Sequence, residues 1–165
     1  MRTKRRIAAF TFIATILFGP AVAIGKGIER TTLIAELLRE VNIQREHNGK
    51  QPLRLNSKLT AAAQKHAKNM SENNFFGHLS PDGHGVTERV TKEGYLWRAI
   101  AENIGAGLSL PKSMVKAWMN SRDHRSNLLD GEFIEVGIGY FQPLQNETKP
   151  RYSHYWVIVF GGRSR

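Results

Sequence analysis

The segment from Tyr152 to Phe160 constrains the fold more than any other part of the chain, because apolar side chains fall on both of its faces. A strand with one face in solvent alternates apolar and polar residues, whereas a strand covered on both sides does not. We therefore expect a central strand with a layer of structure on each side.

A second strand is predicted from Phe133 onward, because its residues alternate in character with a period of two. One face carries Ile134, Val136, Ile138 and Tyr140. The opposite face carries Phe133, Glu135, Gly137 and Gly139. This second face therefore has almost no side-chain bulk beside a single carboxylate.

Helical patterns precede the two strands. In chain order, the predicted helices run from Thr31 or Thr32 to near Asn48, start at a cap on Ser57, cover 86–92, and cover about 110–120. The stretch 95–104 has no clear period. Helices followed by antiparallel strands, one of them covered twice, predict a three-layer α+β domain, and a chain of 165 residues suits a single domain.

The first 23 residues have the three parts of a secretory signal peptide. Four basic residues lie within 1–6, an apolar run covers 7–18, and the small residues Ala21-Val22-Ala23 follow. The apolar run is shorter than an ordinary membrane-spanning helix, so we expect cleavage after Ala23, with an uncleaved membrane anchor as the alternative. Residues 24–32 would form a short N-terminal lead, and the protein is expected to be secreted, periplasmic or extracellular.

Composition excludes several classes of protein. The chain has no cysteine, which excludes disulfide scaffolds, thiolate zinc sites and cysteine nucleophiles. The signal segment holds four of the 24 basic residues and none of the 14 acidic ones, so its removal lowers the formal net charge from +10 to +6. The remaining basic residues are scattered, so we expect no nucleic-acid partner, and contact with a membrane only through an uncleaved signal segment.

Three separate places in the chain could carry chemistry. His78 precedes the turn Pro81-Asp82-Gly83, which would hold it on a rigid loop as a ligand or base. Glu102 is a single acid in an apolar, glycine-flanked segment, where burial would require a partner. His124 lies in the polar segment 121–129, at the end of the predicted third long helix. Each also has a structural interpretation, as a turn cap, an acceptor for backbone N–H groups or a helix end.

The remaining histidines and the common catalytic motifs offer less. His66 falls on the apolar stripe of the second helix and is predicted to be a core or boundary residue. His47 sits at a helix end beside Asn48-Gly49, and His84 and His154 show no local partner pattern, so none of the three is a candidate. The sequence contains no HExxH motif, no GxSxG elbow and no P-loop.

Several short motifs occur along the chain in an order that is typical of one protein family. They include Phe76-Gly77-His78, Ser80-Pro81-Asp82-Gly83, Arg89, Glu102-Asn103-Ile104, Trp118-Met119, His124-Arg125, Gly137-Ile138-Gly139 and Tyr155-Trp156. In this order they resemble the CAP superfamily of cysteine-rich secretory proteins, antigen 5 and pathogenesis-related proteins, in particular its secreted bacterial members. The resemblance covers about 33–162, the predicted CAP domain. It implies a three-layer α-β-α sandwich with a central antiparallel sheet, and a cleft lined by two histidines and two acids.

The resemblance also implies roles for three side chains. His78 and His124 match the two cleft histidines of the family, and Glu102 matches the glutamate of its Glu-Asn pair. The family's other glutamate lies shortly after the helix tryptophan, but here Trp118 is followed by Met-Asn-Ser-Arg. Pleating of the glycine-rich strand suggests Glu135 as a substitute, because it shares a face with the two glycines.

Three functions follow as hypotheses. His78 and His124 could offer nitrogen ligands to zinc or another divalent metal, with Glu102 and Glu135 as candidate catalytic residues. The preferred hypothesis is a secreted binding or interaction module whose polar cleft recognises an extracellular or cell-envelope ligand of peptide, glycan or lipid type. A metal-assisted hydrolase of peptide or envelope polymer is the second hypothesis. The third is a structural extracellular protein in which the cluster is only a hydrogen-bonded network.

Overall fold

The computed structural model describes residues 20–144 and 150–163. The helices are α1 (Pro20–His47), α2 (Ser57–Glu72), α3 (Val86–Lys92), α4 (Pro111–Asn120) and α5 (Arg122–Leu129). The strands are β1 (Arg54–Leu55), β2 (Trp97–Ala106), β3 (Glu135–Phe141) and β4 (Tyr155–Arg163).

The sheet has the strand order β1-β3-β4-β2. Strand β4 pairs antiparallel with both β3 and β2, and Val159 at its centre lies opposite Gly137 on one side and Glu102 on the other. The two-residue strand β1, which the sequence did not reveal, runs parallel to β3 at the edge of the sheet. The prediction of an α+β domain, a three-layer α-β-α sandwich with a central antiparallel sheet, is confirmed.

Strand β4 is covered on both faces, as its composition requires. Trp156, Ile158 and Phe160 join one hydrophobic core with residues of α1, α4 and α5. Tyr155, Val157 and Val159 join a second core with residues of α2 and α3. Alternate residues of a strand point to opposite faces, so a single apolar run supplies both cores.

The bare face of β3 lies against α2. A Cβ atom at Gly137 would collide with the backbone of Leu59, and one at Gly139 would collide with the backbone of Ala63. The glycines therefore allow the helix to approach the sheet more closely than side chains would permit.

Some element boundaries differ from the predicted ones. The expected start of the first helix at Thr31 or Thr32 is wrong, because α1 begins at Pro20 and includes the stretch 24–32 that was expected as a lead. Glycine at 25 and 27 costs a helix only ~1 kcal/mol each, so these residues weaken the helix without ending it. The ambiguous stretch around 95–104 contributes the edge strand β2, and the central strand begins at Tyr155, three residues later than expected.

Most of the expected signal peptide, 1–19, lies outside the described residues, and so does 145–149 in the loop before β4. Across 20–144 and 150–163, no helix is both long and apolar enough to cross a membrane.

A buried arginine joins the connections at one end of the sandwich. The side chain of Arg45 is completely buried, and its guanidinium donates to the carbonyl oxygens of Gln51 (2.7 Å), Leu128 (2.7 Å), Asp130 (2.9 Å) and Phe133 (3.1 Å). One side chain thereby fixes the loop after α1 to the loop between α5 and β3.

Candidate functional site

His78 lies on the loop 77–85 between α2 and α3, and this loop is closed by its own hydrogen bonds. The Ser80 amide donates to the carbonyl of His84 (3.0 Å), and the Gly83 amide donates to the carbonyl of Ser80 (2.8 Å). Gly83 has a φ of +84°, which favours glycine in this turn. The Pro-Asp-Gly turn predicted from the sequence therefore does hold His78 on an ordered loop.

Arg89, on α3, ties both ends of this loop to the sheet. Its Nη1 donates to the carbonyl oxygens of His78 (3.0 Å) and His84 (2.9 Å), and its Nη2 donates to Oε2 of Glu102 (2.7 Å). The Arg89 side chain is 11% exposed and that of Glu102 is 2% exposed, so the ion pair is largely shielded from water. No local pattern in the sequence indicates this role of Arg89, although a buried carboxylate needs a cation or several donors nearby.

The second oxygen of Glu102 binds His78. Nδ1 of His78 lies 2.9 Å from Oε1 of Glu102, while 55% of the His78 side chain remains exposed. Since an ionised carboxylate only accepts hydrogen bonds, Nδ1 carries the proton. In the neutral ring Nε2 then keeps its lone pair. Both carboxylate oxygens are engaged, one by Arg89 and the other by His78.

His66, on α2, also binds the loop that carries His78. It is completely buried on α2, as its place on the apolar stripe predicted, and its Nε2 donates to the carbonyl of Gly77 at 3.0 Å. Nε2 is also 4.0 Å from Oε1 of Glu102. Burial lowers the pKa of His66, so the ring is neutral, and its buried Nδ1 has no hydrogen-bond partner within the described part of the chain.

His124 reaches the site from the opposite layer. It lies in the first turn of α5, where its carbonyl accepts a hydrogen bond from Nδ2 of Asn103 (3.0 Å), and Oδ1 of Asn103 accepts one from Asn127 (2.9 Å). Burial lowers the pKa of His124, and the neighbouring charge of His78 lowers it further.

The site therefore straddles the edge strand β2. Glu102 contacts the layer formed by α2 and α3, whereas the next residue, Asn103, contacts α5. Consecutive residues of a strand point to opposite faces, so the Glu-Asn pair joins the two layers at one edge of the sheet. His78 and His124 lie on either side of this edge.

Glu135 lies elsewhere. It faces the same layer as Glu102, as pleating predicted, but β4 separates the two strands. Its carboxylate accepts hydrogen bonds from Tyr95 Oη (2.9 Å) and Asn56 Nδ2 (3.2 Å), and Asn56 also caps α2. Two strand spacings amount to roughly 10 Å, so the structure does not bring Glu135 into hydrogen-bonding distance of Glu102.

The side chains near His78 limit the kind of metal site that could form here. In the described ranges, no group of three or more His, Asp or Glu side chains is arranged to hold an ion. The two imidazoles of His78 and His124 would supply at most two nitrogen ligands, which is an open and incomplete set for a divalent ion. Glu102 fits the position behind a ligand rather than that of a ligand, because its hydrogen bond to Nδ1 orients the ring so that Nε2 can coordinate.

Comparisons with known proteins identify the family of this fold. The model of the CAP family, described as the cysteine-rich secretory protein family, matches residues 38–160. The uncharacterized protein YkwD of Bacillus subtilis is 34% identical over 101 residues, which are 61% of this chain and 39% of that protein. The chain thus spans well under half of this relative.

Two solved structures share the fold. An extracellular protein with an SCP domain from Bacillus anthracis superposes with a TM-score of 0.75 at 25% identity, covering 88% of this chain and 45% of that one. An outer surface protein from Borrelia burgdorferi superposes with a TM-score of 0.69 at 22% identity, covering 78% and 90%. With the family match spanning most of the sandwich, these findings show that the chain belongs to the CAP family of cysteine-rich secretory proteins.

Proposed function

We propose that the chain is an extracellular ligand-binding module whose recognition centre is the pair His78–Glu102, with His124 beside it. One observation carries the proposal: an exposed imidazole is hydrogen-bonded at 2.9 Å to a carboxylate that is almost fully buried. Exposed His–carboxylate pairs without support are usually mobile, but here Arg89 fixes the carboxylate and the loop carbonyl of His78 together. Such preorganisation is what a binding centre requires.

A divalent ion such as zinc is the first ligand to test at this centre. His78 and His124 would hold it, and zinc bound in an open site polarises a coordinated carbonyl or water. Because only two protein nitrogens are offered, we expect weak binding that a ligand's own oxygen or nitrogen atoms would strengthen. Competition by protons would weaken it further below neutral pH.

The descriptions of two structural neighbours support an extracellular location. The structural neighbour from Bacillus anthracis is described as extracellular, and the one from Borrelia burgdorferi as an outer surface protein. The expected signal peptide over 1–23 points the same way. The ligand would then be a peptide, glycan or lipid of the cell envelope or its surroundings.

Hydrolysis is less well supported by the geometry. A general base must be reached by the water it activates, but the Glu102 side chain is only 2% exposed and each of its oxygens already accepts a short hydrogen bond. Glu135 is engaged by Tyr95 and Asn56 on another strand. We therefore assign Glu102 a positioning role rather than that of a base.

The experiment is a thermal-shift titration with zinc on chelator-treated protein. The parent is compared with His78→Ala, His124→Ala and the control His84→Ala, which removes an exposed histidine of the same loop that pairs with Asp82. We expect zinc at ~100 times its Kd to stabilise the parent and the control by ~2.7 kcal/mol, and to lose this effect in the other two variants.

Other results would count against the proposal. An unchanged midpoint in the parent would favour the purely structural hypothesis, in which the network only ties the loop to the sheet. Turnover of a peptide or envelope polymer that disappears in Glu102→Gln while the fold is intact would favour the hydrolase instead.

A further inference from the structure

A cavity of about 1010 Å³ lies between α2, α3 and the loop 77–85. Its lining includes Lys65 and Asn69 of α2, Thr91 of α3, and Trp97 at the start of β2. His78, Glu102 and His124 do not line it. His66 and Arg89 do line it, and both also contact Glu102: Arg89 at 2.7 Å and His66 at 4.0 Å, so the cavity adjoins the His78–Glu102 pair.

The charges around this α2–α3 groove balance. Three basic and three acidic side chains line it: Lys65, Arg89, Lys92, Asp82, Glu88 and Glu93. Most of them are already paired: Lys65 with Glu93 at 2.6 Å, Arg89 with Glu102, and Asp82 with His84 at 2.9 Å. A phosphate-rich or sulfated ligand would need an excess of cations. The groove instead offers a neutral ligand many donors and acceptors.

Trp97 supplies an aromatic surface in the groove. It is 38% exposed, and its Nε1 donates to Oγ1 of Thr91 at 3.2 Å, which fixes the orientation of the ring. Trp118 and Trp156 are at most 1% exposed, and their indole N–H groups donate to backbone carbonyls inside the domain. Trp97 is thus the one tryptophan of the chain that a ligand can touch.

We propose that the α2–α3 groove binds a neutral oligosaccharide, with a pyranose ring stacked on Trp97. Sugar rings combine an apolar C–H face with a rim of hydroxyl groups. An exposed aromatic ring among amide, hydroxyl and paired charged side chains complements both parts. A volume of about 1010 Å³ is at the upper end for small-molecule sites, so it can hold more than one ring. This site adjoins the metal-capable centre but shares none of His78, Glu102 and His124 with it.

The chain carries its own reporter for this test. Acrylamide quenches exposed tryptophan, so quenching of the intact protein reports mainly on Trp97. The probes are chitotriose, cellotriose and maltotriose as neutral sugars, and a heparin-derived tetrasaccharide as an anionic one. We expect at least one neutral trisaccharide at ~10 mM, well above a millimolar Kd, to protect Trp97 from quenching, and the anionic sugar to give no protection.

Calorimetry with the protecting sugar then compares Trp97→Ala, Trp97→Phe and the control Leu96→Ala. Leu96 is 80% exposed and adjacent to Trp97, but it does not line the groove. Removal of the ring should weaken binding at least ~10-fold, whereas Phe should retain most of it and the control all of it. The zinc response of Trp97→Ala should equal that of the parent, which keeps this test independent of the His78 centre.

The proposal is overturned if none of the three neutral sugars protects Trp97, if only the anionic sugar does, or if Trp97→Ala binds as tightly as the parent.

Discussion

Arg89→Met is the substitution that tests most directly how the site is built. Methionine has a similar length and no charge, so the change removes three hydrogen bonds: two to loop carbonyls and one to Glu102. Removing one partner of a buried ion pair costs ~3–5 kcal/mol, because the other charge stays buried. His78 remains as a second partner for the carboxylate, and the two loop carbonyls are accessible to water.

These facts put the expected loss at the lower end of that range, ~3 kcal/mol of unfolding free energy. For a domain of this size, this corresponds to a fall of ~6 to 12 °C in the unfolding midpoint. The assay is urea unfolding followed by tryptophan fluorescence. Arg98→Met is the matched control, because Arg98 is 64% exposed and its pair with Glu132 should contribute less than ~0.5 kcal/mol.

A double-mutant cycle with Glu102→Gln separates the ion pair from the other contacts of Arg89. If the buried carboxylate causes most of the cost, Arg89→Met should cost at least ~1 kcal/mol less in the Glu102→Gln background than in the parent. Two results would refute this reasoning. One is a loss of unfolding free energy in Arg89→Met that is no larger than in Arg98→Met. The other is a double-variant loss that equals the sum of the two single-variant losses within ~0.5 kcal/mol.

Two further predictions concern the pH dependence of stability and the helix–sheet contact. Burial lowers the pKa of His66 in the folded protein. As the pH falls, the unfolded chain therefore takes up a proton at this residue before the folded protein does. The free energy of unfolding should then decrease as the pH drops below the unfolded pKa of ~6.5. His66→Gln, which keeps a donor for the Gly77 carbonyl, should flatten that decline in urea midpoints measured from pH 8 to 5; an unchanged slope would contradict it. Gly137→Ala should cost more than ~3 kcal/mol because its methyl group meets the backbone of α2. Gly131→Ala should lie within ~1 kcal/mol of the parent by the same urea assay, because its methyl group would meet only the end of the Lys50 side chain, at 3.9 Å.

Much of the fold could be predicted because the decisive patterns are local. The doubly apolar strand, the two glycines of β3 and the Pro-Asp-Gly turn each constrain the backbone through their own residues. The start of α1 was predicted wrongly since the two threonines are good caps, yet nothing before them stops a helix. Strand β1 was missed because two residues are too few to show any period.

The residues of the candidate site could be named from the sequence, but their contacts could not. His78, Glu102 and His124 were recognised by type and by resemblance, whereas Arg89 and Asn103 act through partners that are distant in the chain. Glu135 shows the limit of reasoning from pleating. The period of a strand gives the face on which a residue lies, but the order of strands in the sheet decides which other residues it meets.

The chain has no cysteine, and two buried or half-buried arginines hold its connections. A chain of this family without disulfides must hold its long connections by other means, and two of its connections end on guanidinium groups. Arg45 binds four carbonyls of the loops beside α1 and α5, and Arg89 binds both ends of the loop that carries His78. Guanidinium groups suit this task since they present five donors in a fixed plane. Because Arg89 also contacts Glu102, the side chain that ties the loop to the sheet also positions the carboxylate that binds the His78 ring. In the function proposed above, stability and recognition would therefore be coupled through a single residue.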